Sequence, residues 1–160
     1  KFFDFSVVAC GGFATGEGLA AAMAMGCDAI AMGSRFIASK ESEFHENYKN
    51  IVPDAKASDT EIVTGFLGPI RLWKNKYCMD HGLVADKDEK MAQEQELTPE
   101  MLIEDQKHYE AVYEGEIEDS AVLLGQSIGL IDEIKPVQKI FDEIVGKATE
   151  LLKDAPSVVD

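Results

Sequence analysis

The strongest constraint in this chain is a pair of apolar runs near its start, each ended by glycine. Phe5-Ser6-Val7-Val8-Ala9-Cys10 stops at Gly11-Gly12, and Asp28-Ala29-Ile30-Ala31-Met32 stops at Gly33-Ser34-Arg35. Runs this short, bounded by glycine, predict fully buried parallel strands. Between them residues 17–25 are good helix formers, with Thr15 or Gly16 as the start cap and Gly26 as the stop. Strand, helix and strand within about 30 residues is the size of one βαβ unit. The fold class is therefore α/β, with a parallel sheet covered by helices.

Parallel neighbours place the turns after both strands at the same carboxyl edge of the sheet. Gly11-Gly12 lets a ligand approach the backbone without Cβ clashes. Gly33-Ser34 offers amides, a hydroxyl and a helix start, which together favour an anion, most often phosphate. The plain alternative is two tight turns. A rival motif overlaps them: Gly16-Glu17-Gly18-Leu19-Ala20-Ala21 matches Gly-x-Gly-x-x-Ala, and Ser34-Arg35 could then hold the 2′-phosphate of NADP. The dinucleotide fingerprint should leave its strand directly, however, and Gly11 to Thr15 intervene.

Farther along, Glu41 to Ile51 reads as a polar helix, and Thr60–Thr64 as a strand broken at Gly65 and at Gly68-Pro69. Arg71–Asn75 reads as a short extended piece and residues 78–97 as irregular. Thr98-Pro99-Glu100 opens a helix that runs to about Tyr113, with Gly115 closing it. Ser120–Ile131 reads as an apolar helix whose Gly125 and Gly129 allow close backbone approach. Pro136 opens a last amphipathic helix on Ile140, Phe141, Ile144, Val145, Ala148, Leu151 and Leu152.

The net charge of −15 is unevenly placed: residues 1–77 carry −1 and residues 78–160 carry −14. So acidic a chain argues against a nucleic-acid or anionic-membrane partner, either of which needs a basic surface. No apolar stretch reaches the ~20 residues of a membrane span. Cys10, Cys27 and Cys78 include no Cys-x-x-Cys pair and suit a reduced, cytoplasmic setting. Cys10 and Cys27 read as packing thiols. His45, His81 and His108 lack metal-ligand spacing and read as surface residues or local hydrogen-bond partners, and no metal site is expected.

The ordered run Val7-Val8-Ala9-Cys10-Gly11-Gly12-Phe13-Ala14-Thr15-Gly16-Glu17-Gly18-Leu19-Ala20-Ala21-Ala22, then Met25-Gly26-Cys27-Asp28-Ala29-Ile30-Ala31-Met32-Gly33-Ser34-Arg35-Phe36, then Glu41-Ser42 and His45-Glu46-Asn47-Tyr48-Lys49, resembles the nitronate monooxygenase (2-nitropropane dioxygenase) family. Flavin-dependent enoyl-acyl carrier protein reductases share the pattern, and Gly125–Ile131 is similar to their tail helix. The resemblance implies an FMN-binding (β/α)₈ TIM barrel, with residues 5–10 and 28–32 as its last two strands. It implies FMN as cofactor, with its phosphate on Gly11, Gly12, Gly33 and Ser34, and with Cys10 and Met32 beside them. Ser34 stands where the family usually has Thr.

A complete barrel takes about 250 residues. The expectation is therefore the C-terminal portion of a longer, flavin-dependent oxidoreductase. Residues 1–77 would hold the last βα units, residues 78–160 an appended acidic helical segment, and another segment or chain the other strands. No catalytic residue is expected here, because none of the three histidines occupies the family's motif. The substrate would be a small molecule, a nitronate oxidised with O₂ or an enoyl thioester reduced with NAD(P)H, and a homo-oligomer is compatible. Two other readings stand beside it: a non-catalytic flavin or phosphate module, and an acidic helical module that docks a partner through residues 119–152.

Overall fold

The computed structural model describes residues 4–65 and 68–155, the side chains of Gln93 and Glu94 excepted. Lys1 and the last five residues of the acidic half lie outside them. The elements are β1 (Val8–Cys10), α1 (Gly16–Ala24), β2 (Ala29–Ala31), α2 (Ser34–Ile37), α3 (Glu46–Ile51), β3 (Thr60–Gly65), β4 (Gly68–Trp73), α4 (Lys76–His81), α5 (Lys87–Glu96), α6 (Pro99–Ala111) and α7 (Val137–Asp154). No helix among the described residues is long and apolar enough to cross a membrane.

β1 and β2 pair in parallel, with Val8 opposite Ala29 and Cys10 opposite Ala31. Asp28 locks their starts together: its carboxylate accepts the Val7 N–H at 2.8 Å, and its own N–H donates to the Val7 carbonyl at 2.8 Å. The connecting helix α1 begins as expected, with the Thr15 hydroxyl accepting the Gly18 N–H, and it stops before Gly26 at φ +96°. The expected full burial of the strands does not hold. Val8 is 54% exposed and Phe5, in the run leading into β1, 62%, because this parallel sheet has two strands and no neighbour on either edge among the described residues.

β3 and β4 form an antiparallel hairpin from Thr60 opposite Trp73 to Gly65 opposite Gly68. The glycines read as breaks lie at its turn end, with Gly68 at φ +119°. Residues 78–97 are not irregular. The Asn75 side chain accepts the Cys78 N–H to cap α4, and the Asp86 carboxylate accepts the Asp88 and Glu89 N–H groups to cap α5. The sequence reading missed these caps, and α5 has little apolar periodicity to mark it. Thr98 and Pro99 start α6 as predicted, and Gly115 closes that segment at φ +90°.

Ser120–Ile131 is not a helix. Leu123 bridges β4 at Leu72, the Trp73 N–H donates to the Val122 carbonyl at 2.8 Å, and only residues 126–130 form a 3-10 turn. Pairing with a strand edge outcompetes local helix propensity here. The helix expected from Glu41 starts only at Glu46, where the His45 Nδ1 accepts the Asn47 N–H at 3.1 Å.

Two clusters form the core. Tyr48, Val52, Val112, Val122, Leu124 and Ile128 centre one; Val63, Leu72, Tyr77, Cys78 and Ala121 make the other. The 77/78 line falls inside α4, and the chain on its two sides is joined. Asn75 Nδ2 donates to the Ile117 and Ser120 carbonyls, both at 2.7 Å. The last helix, α7, packs on α1. A Cβ on Gly16 would lie 2.5 Å from Lys147 Cβ and 2.7 Å from the Ile144 carbonyl oxygen, so the helices approach over bare backbone. The end of the acidic half thus covers the first βα unit directly.

Candidate functional site

At the carboxyl edge of the β1–β2 pair the chain opens into a cleft of about 900 Å³. Its floor is Cys10, Gly11, Gly12, Met32, Gly33 and Ser34, so all six residues singled out in the sequence come together. Gly11 and Gly12 have φ of +89° and +81°, a region that L side chains avoid. A Cβ on Gly11, Gly12 or Gly33 would meet nothing within 4 Å, so the space above each turn is open.

Ser34 is buried, and its Oγ accepts the Gly125 N–H at 2.9 Å. That bond uses a lone pair and leaves the hydroxyl proton free to donate. Gly125 therefore does more than permit close approach: it orients the hydroxyl from 91 residues away. Cys10 is exposed to the open cleft, which corrects its reading as a packing thiol; Cys78 is the buried one.

Arg35 does not face this cleft as a 2′-phosphate ligand would. It is 5% exposed, and its Nη2 donates to the Ala38 carbonyl at 2.7 Å and the Glu133 carbonyl at 2.6 Å. Desolvation lowers its pKa, opposed by Asp132, Glu133 and Glu143. Its role is to tie α2 to the approach to α7, and the NADP reading loses its cation.

The opposite wall was not foreseen. Phe44 stacks on Tyr113 at 4.7 Å and meets Tyr48 edge-on at 4.9 Å. The Tyr48 hydroxyl donates to the Leu123 carbonyl, and burial pushes its pKa well above the tyrosine range. Ile70, Arg71, Tyr109 and Leu124 continue the wall. Arg71 Nη1 donates to Thr60 Oγ1 at 3.1 Å and to the Thr60 carbonyl at 3.3 Å, which fixes a cation on the hairpin at the cleft. These residues come from α3 and the turn before it, β4, α6 and the 3-10 turn after it, and the Leu123 segment, and no local motif links them.

None of the three histidines lines the cleft. His45 caps α3, with Gly115 packed on its ring. His81 and His108 share a second cavity, of about 600 Å³, between α4 and α6. No group of three or more His, Cys, Asp or Glu among the described residues could hold a metal ion.

Residues 2–147 match the nitronate monooxygenase family profile. The chain belongs to that family. A probable nitronate monooxygenase of Staphylococcus saprophyticus is 27% identical over 154 residues, covering 93% of this chain and 40% of the relative. FabK of Thermotoga maritima superposes with a TM-score of 0.78 at 35% identity, over 98% of this chain and 48% of FabK. A nitroalkane oxidase of Streptomyces ansochromogenes gives 0.68 at 25% identity, over 96% and 42%. The chain thus spans under half the length of each of these proteins, and both turns and the aromatic wall lie within the family match over residues 2–147.

Proposed function

We propose that this chain forms the phosphate-binding edge and one substrate wall of an FMN-dependent oxidoreductase of the nitronate monooxygenase kind. The observation that carries the reading is the convergence of Gly11-Gly12 and Gly33-Ser34 on one open cleft at a parallel sheet edge. Gly11, Gly12 and Gly33 would admit the phosphate to the backbone, and the Ser34 hydroxyl would donate to it, with Cys10 and Met32 alongside. The residues fit the cofactor: the cleft lies within the 300–1,000 Å³ common for ligand sites, and its lining is mostly apolar with a few directed polar groups. The flavin, when bound, supplies the electron chemistry, while the protein binds and orients.

The remaining barrel strands would pair along the open edges of β1 and β2, where Phe5 and Val8 are exposed. The substrate class proposed first is a nitronate, oxidised with O₂. A second reading, an enoyl thioester reduced with NAD(P)H, rests on the glycine-turn pattern that this chain shares with flavin-dependent enoyl-acyl carrier protein reductases.

The test uses the full protein that contains this chain. FMN should bind, protect Cys10 from alkylation, and bind more weakly to Ser34→Ala. Turnover of a nitroalkane with O₂ against an enoyl thioester with NAD(P)H then separates the two substrates. A protein that binds no flavin and leaves Cys10 unprotected overturns the reading.

A further inference from the structure

The lining of the cleft is almost free of charge. Among the described residues that line it, Arg71 is the one ionised side chain, and no Asp, Glu, Lys or His joins it there. Phe44, Tyr48, Ile70, Tyr113 and Leu124 make its surroundings largely apolar. A cation beside such a wall is costly unless an anion meets it.

The Arg71 side chain is partly buried and pinned in place. Thr60 is buried, and its hydroxyl donates to the Ala57 carbonyl at 3.2 Å. That bond uses the only hydroxyl proton and leaves the oxygen to accept. Arg71 Nη1 donates to Thr60 Oγ1 at 3.1 Å and to the Thr60 carbonyl at 3.3 Å. Both Nη1 protons are then spent. The contact crosses the hairpin, where Thr60 pairs with Trp73, two residues along β4 from Arg71.

The other edge of the guanidinium, Nε and Nη2, makes no hydrogen bond or ion pair among the described residues. Glu61 on the paired strand does not occupy it, because its carboxylate is bonded to Lys74 at 3.2 Å. Lys74 is also the main reason that the Glu61 carboxyl sits below its ordinary range, with Arg71 the smallest contributor. Two parallel N–H groups on one edge match an anion whose two oxygens sit on one planar atom. Carboxylates and nitronates have that shape and charge. A neutral nitro group and a thioester carbonyl lack the charge.

Resting on the oxidoreductase reading above, we propose that Arg71 determines specificity: its Nε–Nη2 edge takes a planar two-oxygen anion of the substrate, on the wall opposite the glycine turns. The apolar part of the substrate lies against the aromatic rings. The cleft thereby selects the ionised form of an acid over its neutral form. Thr60 is a positioning residue, which aims the fork without touching the substrate. Binding of this kind moves no proton and no electron.

The experiment has two arms, both on the full protein that contains this chain. In the first, butyrate and its uncharged isostere butyramide are titrated calorimetrically, which needs no turnover. The wild type should prefer butyrate, and Arg71→Met should reduce that preference about 10- to 100-fold. Arg71→Lys keeps the charge and drops the fork, so it should fall between the two and carries the test if the methionine variant does not fold. A wild type without the preference, or equal preference in wild type and both variants, overturns the assignment. Inorganic phosphate, which is tetrahedral, is the control: a loss of phosphate binding without loss of butyrate binding also overturns it. In the second arm, the ratio of kcat/KM for preformed ethyl nitronate to that for neutral nitroethane should fall by the same factor in Arg71→Met. A ratio that does not change overturns the assignment. A wild type that holds no flavin and turns over neither compound overturns the oxidoreductase reading instead, and the butyrate preference still decides the role of Arg71.

Discussion

The floor of the cleft depends on two backbone conformations and one hydroxyl. Gly11 and Gly12 occupy positive φ in open space, so alanine there meets no neighbour but is strained. Each of Gly11→Ala and Gly12→Ala should cost about 1 kcal/mol of stability and lower FMN affinity, measured by denaturant titration and flavin fluorescence. Ser34→Ala is different in kind. It leaves the Gly125 N–H without its acceptor, which should cost about 1–3 kcal/mol if no water replaces it. Ser34→Thr keeps the oxygen and should recover most of that loss in the same measurement. The glycine pairs were readable because positive φ is a local demand that few other residues meet. The Gly125 contact was not, because nothing near Ser34 in the chain specifies a partner 91 residues away.

Among the elements, the α1–α7 contact is the most exacting. Gly16→Ala would drive a Cβ into the α7 backbone at the Ile144 carbonyl. It should destabilise by about 1–3 kcal/mol, seen as a lower denaturant midpoint. A second tether holds α7 at its start, where Lys135 bonds Glu143 at 2.7 Å and Glu133 at 2.9 Å. The Lys135 ammonium holds the Glu143 carboxyl below the usual carboxylate range. A lowered carboxyl stabilises the fold above its ordinary pKa and loses that contribution as pH falls through the lowered value. Glu143→Gln should therefore remove part of the acid sensitivity of thermal unfolding. The effect should stay within about 1 kcal/mol, because the pair is partly exposed. The starts of α1 and α6 were legible from their caps at Thr15 and Thr98, whereas the caps at His45, Asn75 and Asp86 were not read. Ser120–Ile131 was misread because an apolar run does not say whether it will coil on itself or pair with β4.

For the whole molecule, the decisive feature is a two-stranded parallel sheet with apolar residues left at its surface. Hydrogen exchange should find the β1 and β2 amides poorly protected in the isolated 160 residues. They should be strongly protected in the full-length protein, where further strands would cover the edges. Equal protection in both would argue against barrel completion.

By itself, the sequence determined the βαβ unit, its two glycine turns and the family they belong to. These are set by neighbours a few residues apart, through backbone conformation, capping and apolar spacing. Only the tertiary structure decided that Arg35 turns away from the cleft, that α7 seals the first βα unit, and that the Gly125 N–H meets the Ser34 hydroxyl. Those outcomes depend on side chains separated by up to about a hundred positions competing for the same space and the same hydrogen-bond partners. No local pattern records the winner of that competition.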